Sequence, residues 1–463
     1  MDGEFGEGGQ IWQHFAIMMH PDTIHRLREF RDELYMLFGK RADALFELCD
    51  AAITVGQSPS LVYLSLEAAH RRSWGSLYDA LVDGQLEAEQ FRSLLSRHPL
   101  AQGQPVYAVD VSAWPRRDAT TSPERGFHHH NSRHTSGRPV VAGWAYQWIA
   151  QVSFAGGSWT APLDVRRPRP GEDTNLVAVE QIKGLVARRP AGEEVPLFVF
   201  DAGYDPIPLS LGLADSRVAI LVRLHSNRCY YGDPCLPEKK RKGPTPRHGA
   251  KFTFRDPTTW HEPTKEHTEE DERFGKVRVR AWAGLHSMPK NRSRWGEPGR
   301  RPLVRGTVIL VEVGRLPGRS RRPEGLWLFY FGPGEPDLAS IWRAYVHRFD
   351  LEHTFRFLKQ TLNWTKPRVR YPEQADLWTW LVVAAYTQLR LARSAVADRR
   401  LPWERPLEAG KLTPNRVRSA FSPVLATLGS PANGPKACGR SPGRPKGRIS
   451  RPATRYPVRK KAA

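Results

Sequence analysis

Cysteine is scarce in this chain of 463 residues. The four present, Cys49, Cys229, Cys235 and Cys438, are too few and too scattered for a disulfide framework. Long apolar runs are missing too. The longest, Trp380 to Tyr386, has seven residues, against the roughly 20 of a membrane span. The N-terminus lacks the positive charge of a signal peptide and carries Asp2, Glu4 and Glu7 instead. Glycine and proline, 38 and 39 in number, are too few for a collagen-like or low-complexity chain. Acidic residues are also in deficit: 48 Asp and Glu face 70 Lys and Arg, a formal charge of +22. Such an excess attracts polyanions, nucleic acid first. Hydrophobic residues at 40% and aromatics at 10% exclude a wholly disordered chain. The expectation is an intracellular, soluble, multi-domain protein with an anionic partner and no membrane association.

The charge is unevenly spread. Residues 1–100 hold 9 basic and 15 acidic residues, so the polyanion is expected to meet the remainder of the chain. This first segment reads as amphipathic helices: one from Asp22 or Thr23 to Gly39, one over about 41–54, and further apolar spacings through Leu61, Leu64, Leu77, Leu81, Phe91 and Leu95. After Pro99 the pattern changes. Val106 to Val111 is a short apolar run typical of a buried strand, with Asp110 inside it. A polar segment over 115–139 follows, then strand-like runs over about 143–154 and 158–165 and a helix over 174–188. Val195 to Phe200 is another apolar strand, and it ends in Asp201. Residues 217–224 give one more.

Residues 225–305 are basic and broken by Pro and Gly, and strand-like pieces lie near 276–283, 306–313 and 325–331. They read as a β-rich insertion. Helical patterning returns over about 338–362 and 373–396. Residues 431–463 hold ten basic residues and no acid, which predicts a disordered basic tail. The divisions are thus 1–100, a helical domain; 101–224 and 336–397, two parts of one core; 225–335, the insertion; and 398–463, a mostly disordered tail.

Three carboxylates stand out. Asp110 and Asp201 lie in or beside apolar strands, where an ionised group needs compensation, and a divalent cation is one source of it. The bland alternative is two strand-end aspartates paired with arginine. The third is Glu352. On a continuous helix at 100° per residue, Tyr345, Arg348, Glu352 and Lys359 fall within an arc of about 60° along about 21 Å. A phenol, a guanidinium, a carboxylate and an ammonium are then in line, while Asp350 points elsewhere. Such a stripe is either a solvated helix face or, on a helix with apolar residues at other azimuths, the wall of a cleft.

A strand Asp, a strand-end Asp and a helix Glu, in that order, resemble the DDE triad of transposases and integrases with an RNase H-like core. Tyr345-x2-Arg348-x3-Glu352-x6-Lys359 is similar to the YREK signature of a bacterial insertion-sequence group of cut-and-paste transposases. The separations of 91 and 151 residues between the three acids also fit. The resemblance covers about residues 100–397. It implies an α/β, multi-domain protein: an RNase H-like mixed five-stranded sheet flanked by helices, with a β-rich insertion before the Glu helix. It implies two Mg²⁺ or Mn²⁺ ions held by Asp110, Asp201 and Glu352, since two-metal phosphoryl transfer needs hard, exchangeable oxygen ligands. It further implies double-stranded DNA partners (element terminal repeats and target DNA), a homodimer in the synaptic complex, and a cytoplasmic location at the bacterial nucleoid.

By the same resemblance Tyr345, Arg348 and Lys359 grip DNA near the cleaved end. Trp282 in the insertion is a candidate to stack on a flipped base, its alternative being a core tryptophan. The run Lys239, Lys240, Arg241 and Lys242 is a candidate for backbone contact, as are Arg444 and Lys446 in a degenerate AT-hook. His128, His129, His130 and His134 have no metal-ligand spacing, and Cys229 and Cys235 lack a second pair at zinc spacing. The rival function from another class is a non-catalytic, sequence-specific DNA-binding regulator derived from a transposase.

Overall fold

The computed structural model describes residues 21–56, 60–100, 103–129, 140–154, 157–190, 192, 194–234, 246–288, 302–317, 325–408, 410–437, 439, 443, 445–449 and 452–459. The N-terminal helices are α1 (Pro21–Met36), α2 (Ala42–Thr54), α3 (Trp74–Asp83) and α4 (Ala88–Ser96), with a 3₁₀ turn over Leu61–Leu66. The central elements follow as β1 (Val106–Pro115), β2 (Gly126–His129), β3 (Val140–Val152), β4 (Ala161–Arg166), α5 (Thr174–Ala187), β5 (Leu197–Phe200), α6 (Pro206–Gly212) and β6 (Ala219–Leu224). Pro115 ends β1, where a residue without an N–H cannot carry the ladder further. Asp173 caps α5 by accepting from Asn175 N at 2.8 Å, and Asp205 caps α6 by accepting from Ile207 N at 3.1 Å.

Strands β4, β3, β1, β5 and β6 lie side by side in that order. β3 is antiparallel to β1 and to β4, whereas β5 is parallel to β1 and β6 parallel to β5. The parallel register sets Val109 opposite Phe200. Asp110 and Asp201, each the next residue, therefore stand on neighbouring strands. The helix α5 supplies the long return that a parallel pair requires.

The sheet is larger than the five strands expected. The inserted residues form β7 (Cys229–Tyr231), β8 (Lys251–Thr253), β9 (Lys265–Asp271), β10 (Gly275–His286), β11 (Arg305–Val313) and β12 (Leu326–Phe331). β12 pairs antiparallel with β6, Trp327 opposite Leu224, so one 12-stranded sheet runs through core and insertion. Strands β11 and β12 of the inserted part are buried on both faces. Val277, Val279 and Ala281 of β10 join the main core, and Trp282 and Leu285 join a second core with Phe252 and Trp327. β2 is a further addition, an edge strand on β3 within the polar segment.

The remaining helices are α7 (Leu338–His347), α8 (Asp350–Gln360), α9 (Pro372–Leu391), α10 (Pro414–Ser419) and α11 (Phe421–Leu428). The single helix expected over 338–362 is two, separated at Arg348 and Phe349. Both residues keep right-handed helical dihedrals, but Leu351 N and Glu352 N donate three residues back, to Arg348 O and Phe349 O. This tighter turn breaks the helix without turning the chain away. α9 is buried almost along its whole length. It packs on β4 and against α1, α2 and α3, so the N-terminal helices share its core.

The expectation of a disordered tail meets a different arrangement in the described residues. Leu412, Val417, Phe421 and Val424 are buried, and their burial accounts for α10 and α11. Further on, Tyr456 N donates to Thr120 O and Arg459 N to Arg125 O, both at 2.8 Å. A chain segment without a strong apolar pattern is thus held by main-chain bonds to the loop before β2.

Candidate active site

Asp110 sits in the middle of β1, on the face that also presents Ser112 and Trp114. Helix α8 covers this face. Its position is fixed by aromatic packing: Trp148 lies 5.7 Å from Phe355 and 5.0 Å from Trp364, and Trp364 lies 6.1 Å from Trp114. The Trp364 indole donates to Thr379 Oγ1 at 2.9 Å, and that of Trp378 to Trp364 O at 2.8 Å, which pins the turn after α8 to α9. Polar satisfaction inside an aromatic cluster locks its rings in place. Glu352 stands in the first turn of α8 and Lys359 in the last, the arrangement the helix dipole favours.

Arg348, at the break between α7 and α8, is the centre of the site. Its Nη1 donates to Asp110 Oδ2 at 3.0 Å and its Nη2 to Glu352 Oε1 at 3.0 Å. Its side chain is 4% exposed, against 17% for Asp110 and 46% for Glu352. Arg348 also lies over two rings, 4.6 Å from Phe349 and 5.7 Å from Tyr345. Burial works against its charge, but Asp110, Tyr345, Glu352 and Asp201 outweigh that and hold its pKa above the usual range.

Burial pushes the Asp110 carboxyl up to about 6; Arg348 pulls it back, and the negative charges of Asp201 and Glu352 push it further. Asp201 leaves the end of β5 into a tight turn, where its Oδ1 accepts from Gly203 N at 2.9 Å. A Cβ on Gly203 would come within 3.0 Å of that oxygen, so the residue type keeps the turn close. Burial depresses the Lys359 ammonium, and Asp110 partly restores it. Burial raises the Tyr345 phenol while Arg348 and Arg223 lower it. The residues gathered here are therefore Asp110, Asp201, Tyr345, Arg348, Glu352 and Lys359.

A family model described as DDE superfamily endonuclease matches residues 33–287. The chain belongs to the DDE superfamily endonucleases. The matched stretch contains Asp110 and Asp201 and stops before α8. No curated protein matches the chain. Divalent metals and a DNA substrate go with this superfamily. On chemistry the site suits a hard cation: three carboxylates act on one another electrostatically around a single buried guanidinium. Among the described residues, however, no three acidic, histidine or cysteine side chains are grouped to hold an ion, and Arg348 lies between two of the carboxylates.

Two neighbours escape sequence reasoning. Tyr204, three residues after Asp201, is buried 5.0 Å from Phe200; burial and the charges of Asp110 and Asp201 raise its phenol well above the usual value. Arg223 on β6 acts electrostatically on Tyr345. The short Asp-Ala-Gly-Tyr turn was the available signal for the first; nothing local marks the second.

The other candidates are placed apart. Trp282 is 1% exposed, and its indole donates to His261 O at 2.7 Å inside the second core. It is a core tryptophan, not a surface for stacking a base. Lys446 is exposed in the C-terminal segment. Lys239, Lys240, Arg241, Lys242 and Arg444 lie outside the described residues, as do His130 and His134. No helix among the described residues is long and apolar enough to cross a membrane.

Proposed function

We propose that the protein is a transposase: it cleaves the ends of an insertion sequence and transfers their 3′-hydroxyls to target DNA, by a cut-and-paste route. The observation that carries this reading is the Arg348 bridge, which ties the Tyr-Arg-Glu-Lys motif of α7 and α8 to a strand aspartate. Asp110, Asp201 and Glu352 would hold two Mg²⁺ or Mn²⁺ ions. When bound, such ions activate a water or 3′-hydroxyl and stabilise the leaving oxygen in an in-line displacement. The rest is work for this chain's own groups. Arg348 and Lys359 offer cations to phosphate oxygens. Tyr345 offers a ring and a hydroxyl beside them. The aromatic cluster under α8 holds Glu352 against the sheet and keeps water from its inner side. Residues 101–224 and 336–397 act as the catalytic unit, and two copies pair to synapse two ends.

The test is a plasmid carrying the gene's own flanking DNA, incubated with the protein and Mg²⁺ or Mn²⁺ beside Glu352→Gln. Metal-dependent cuts at both flanks, lost in the variant while DNA binding persists, are expected. Binding with no cut under either metal would replace this reading with that of a regulator that keeps the fold. Cut ends without joined products would leave a nuclease only.

A further inference from the structure

Three segments distant in sequence meet beyond the C-terminal end of β1. The first is the loop 116–125. The second is the turn 363–371 between α8 and α9. The third is the strap 452–459. Arg116 Nη2 donates to Val369 O at 2.5 Å, and Arg370 Nε to Thr121 O at 3.4 Å, joining the first two. Arg125 Nη1 donates to Arg117 O at 3.0 Å and Nη2 to Tyr456 O at 3.0 Å, which with the main-chain bonds of Tyr456 and Arg459 joins the strap.

The place is dense in cations and poor in their partners. Arg116, Arg117, Arg125, Lys366, Arg368, Arg370 and Arg455 make no ion pair with any described carboxylate. The structural arginines among them spend their hydrogen bonds on backbone carbonyls, which leaves the charge uncancelled. Burial lowers the pKa of Arg116, and the charges of Arg368 and Arg125 lower it further, so these groups repel one another. The nearby acids are few: Glu124 is taken by Arg167 at 2.6 Å, Glu373 begins α9, and Asp118 is exposed in the loop itself. Lys366, Arg368 and Arg455 are exposed.

Such repulsion is tolerated where an anion settles it. Arg116 directly follows β1, six residues after Asp110, or roughly 20 Å at ~3.3 Å per residue. That is about six base-pair steps at ~3.4 Å each along one strand of a duplex. Helix α8 and the turn after it link Glu352 and Lys359 to the same patch.

We propose that the loop 116–125, the turn 363–371 and the strap 452–459 form one composite surface that holds the phosphate backbone of duplex DNA flanking the cleaved end, with Lys366, Arg368 and Arg455 touching the phosphates. The strap is then a DNA-binding part held in fixed register with the active site. This rests on the reading that the site acts on duplex DNA.

The experiment compares Lys366→Gln/Arg368→Gln/Arg455→Gln with a control of equal charge change at exposed positions elsewhere, Arg28→Gln/Lys183→Gln/Lys276→Gln. Fluorescence anisotropy on a labelled random-sequence duplex gives the slope of log K against log salt for each. Melting temperatures equal to wild type show that both variants fold. The slope of the first variant is expected to shrink by about 2–3, at ~0.9 for each phosphate no longer neutralised, with the control unchanged. No change, or an equal change in the control, overturns the surface. Plasmid cleavage is read in parallel. Cleavage by wild type with an unaltered slope removes the surface and leaves the transposase reading; a shrunken slope without cleavage does the reverse.

Discussion

Arg348 donates to Asp110 Oδ2 at 3.0 Å across 238 residues of sequence, and to Glu352 through its other terminal nitrogen. One cation thus serves two of the carboxylates proposed as metal ligands. A guanidinium and a hard divalent ion make the same demand on a carboxylate oxygen, so they compete for it. These two bonds use two of the five N–H donors of the guanidinium, and its Nε has no hydrogen-bond partner.

Removing this cation is therefore informative. Arg348→Ala leaves Asp110 buried beside Asp201 and Glu352 without its partner, which costs about 3–5 kcal/mol. Divalent ions should recover most of that loss. The expected outcome is a lower melting temperature than wild type in chelator, and a larger upward shift on adding Ca²⁺ or Mn²⁺. An equal ion-induced shift in both proteins would show that Arg348 does not compete with the ion.

The raised Asp110 pKa sets a pH window. Burial lifts the carboxyl from 3.8 to about 6 in the folded chain, so the folded state keeps a proton that the unfolded chain has lost between those values. Stability from this group is full below about pH 4 and falls as pH rises through about 6. The residual cost at neutral pH is roughly 3 kcal/mol. A divalent ion binds the ionised form and offsets that cost. Mg²⁺ should raise the melting temperature little near pH 5 and clearly near pH 7.5; equal shifts at both would separate ion binding from Asp110.

How much of this was legible in the sequence depends on range. An apolar run with Asp110 inside it and another ending in Asp201 marked β1 and β5, because burial on both faces leaves a continuous hydrophobic signature. The spacing from Tyr345 to Lys359 put four side chains on one face, and the tight turn at Arg348 was gentle enough to preserve it. Missing was what long-range pairing decides. β2 is polar because it lies at an edge, and its pairing with β3 is set by the hairpin fold. The union of β12 with β6 joins residues about a hundred apart and has no local mark. Nor does the Arg348 bridge: helical spacing gives a side chain's azimuth and not its partner. The C-terminal strap carries few apolar residues and is held by main-chain bonds, which composition does not encode.

A buried ion pair between two N-terminal helices also reaches α9 and the segment after α11. Arg31 on α1 donates to both oxygens of Asp50 on α2, at 2.7 and 2.9 Å, to Gly429 O at 3.0 Å, and to Gln388 of α9. Arg31 is 1% exposed and Asp50 3%. Arg31→Leu strands a buried carboxylate and should cost about 3–5 kcal/mol in urea unfolding. The double variant Arg31→Leu/Asp50→Leu should cost clearly less, since neither charge is left unpaired. A double variant as unstable as the single one would mean that packing of the arginine stem, not charge, holds the junction.

Trp282 separates the core role from the base-stacking role expected by resemblance. Its ring lies 5.0 Å from Phe252 and 5.9 Å from Trp327, and Arg280 sits 5.6 Å above it. Deleting so large a buried ring leaves a cavity, and Trp282→Ala should cost about 3–5 kcal/mol. Trp282→Phe keeps most of the volume and loses the bond to His261 O, so it should fold with a modest loss. The decisive measurement is DNA affinity of the folded Trp282→Phe protein on duplex and on DNA with an unpaired base. A core residue leaves both unchanged. A selective loss on the unpaired substrate would require the second core to open and present the ring, against its near-complete burial.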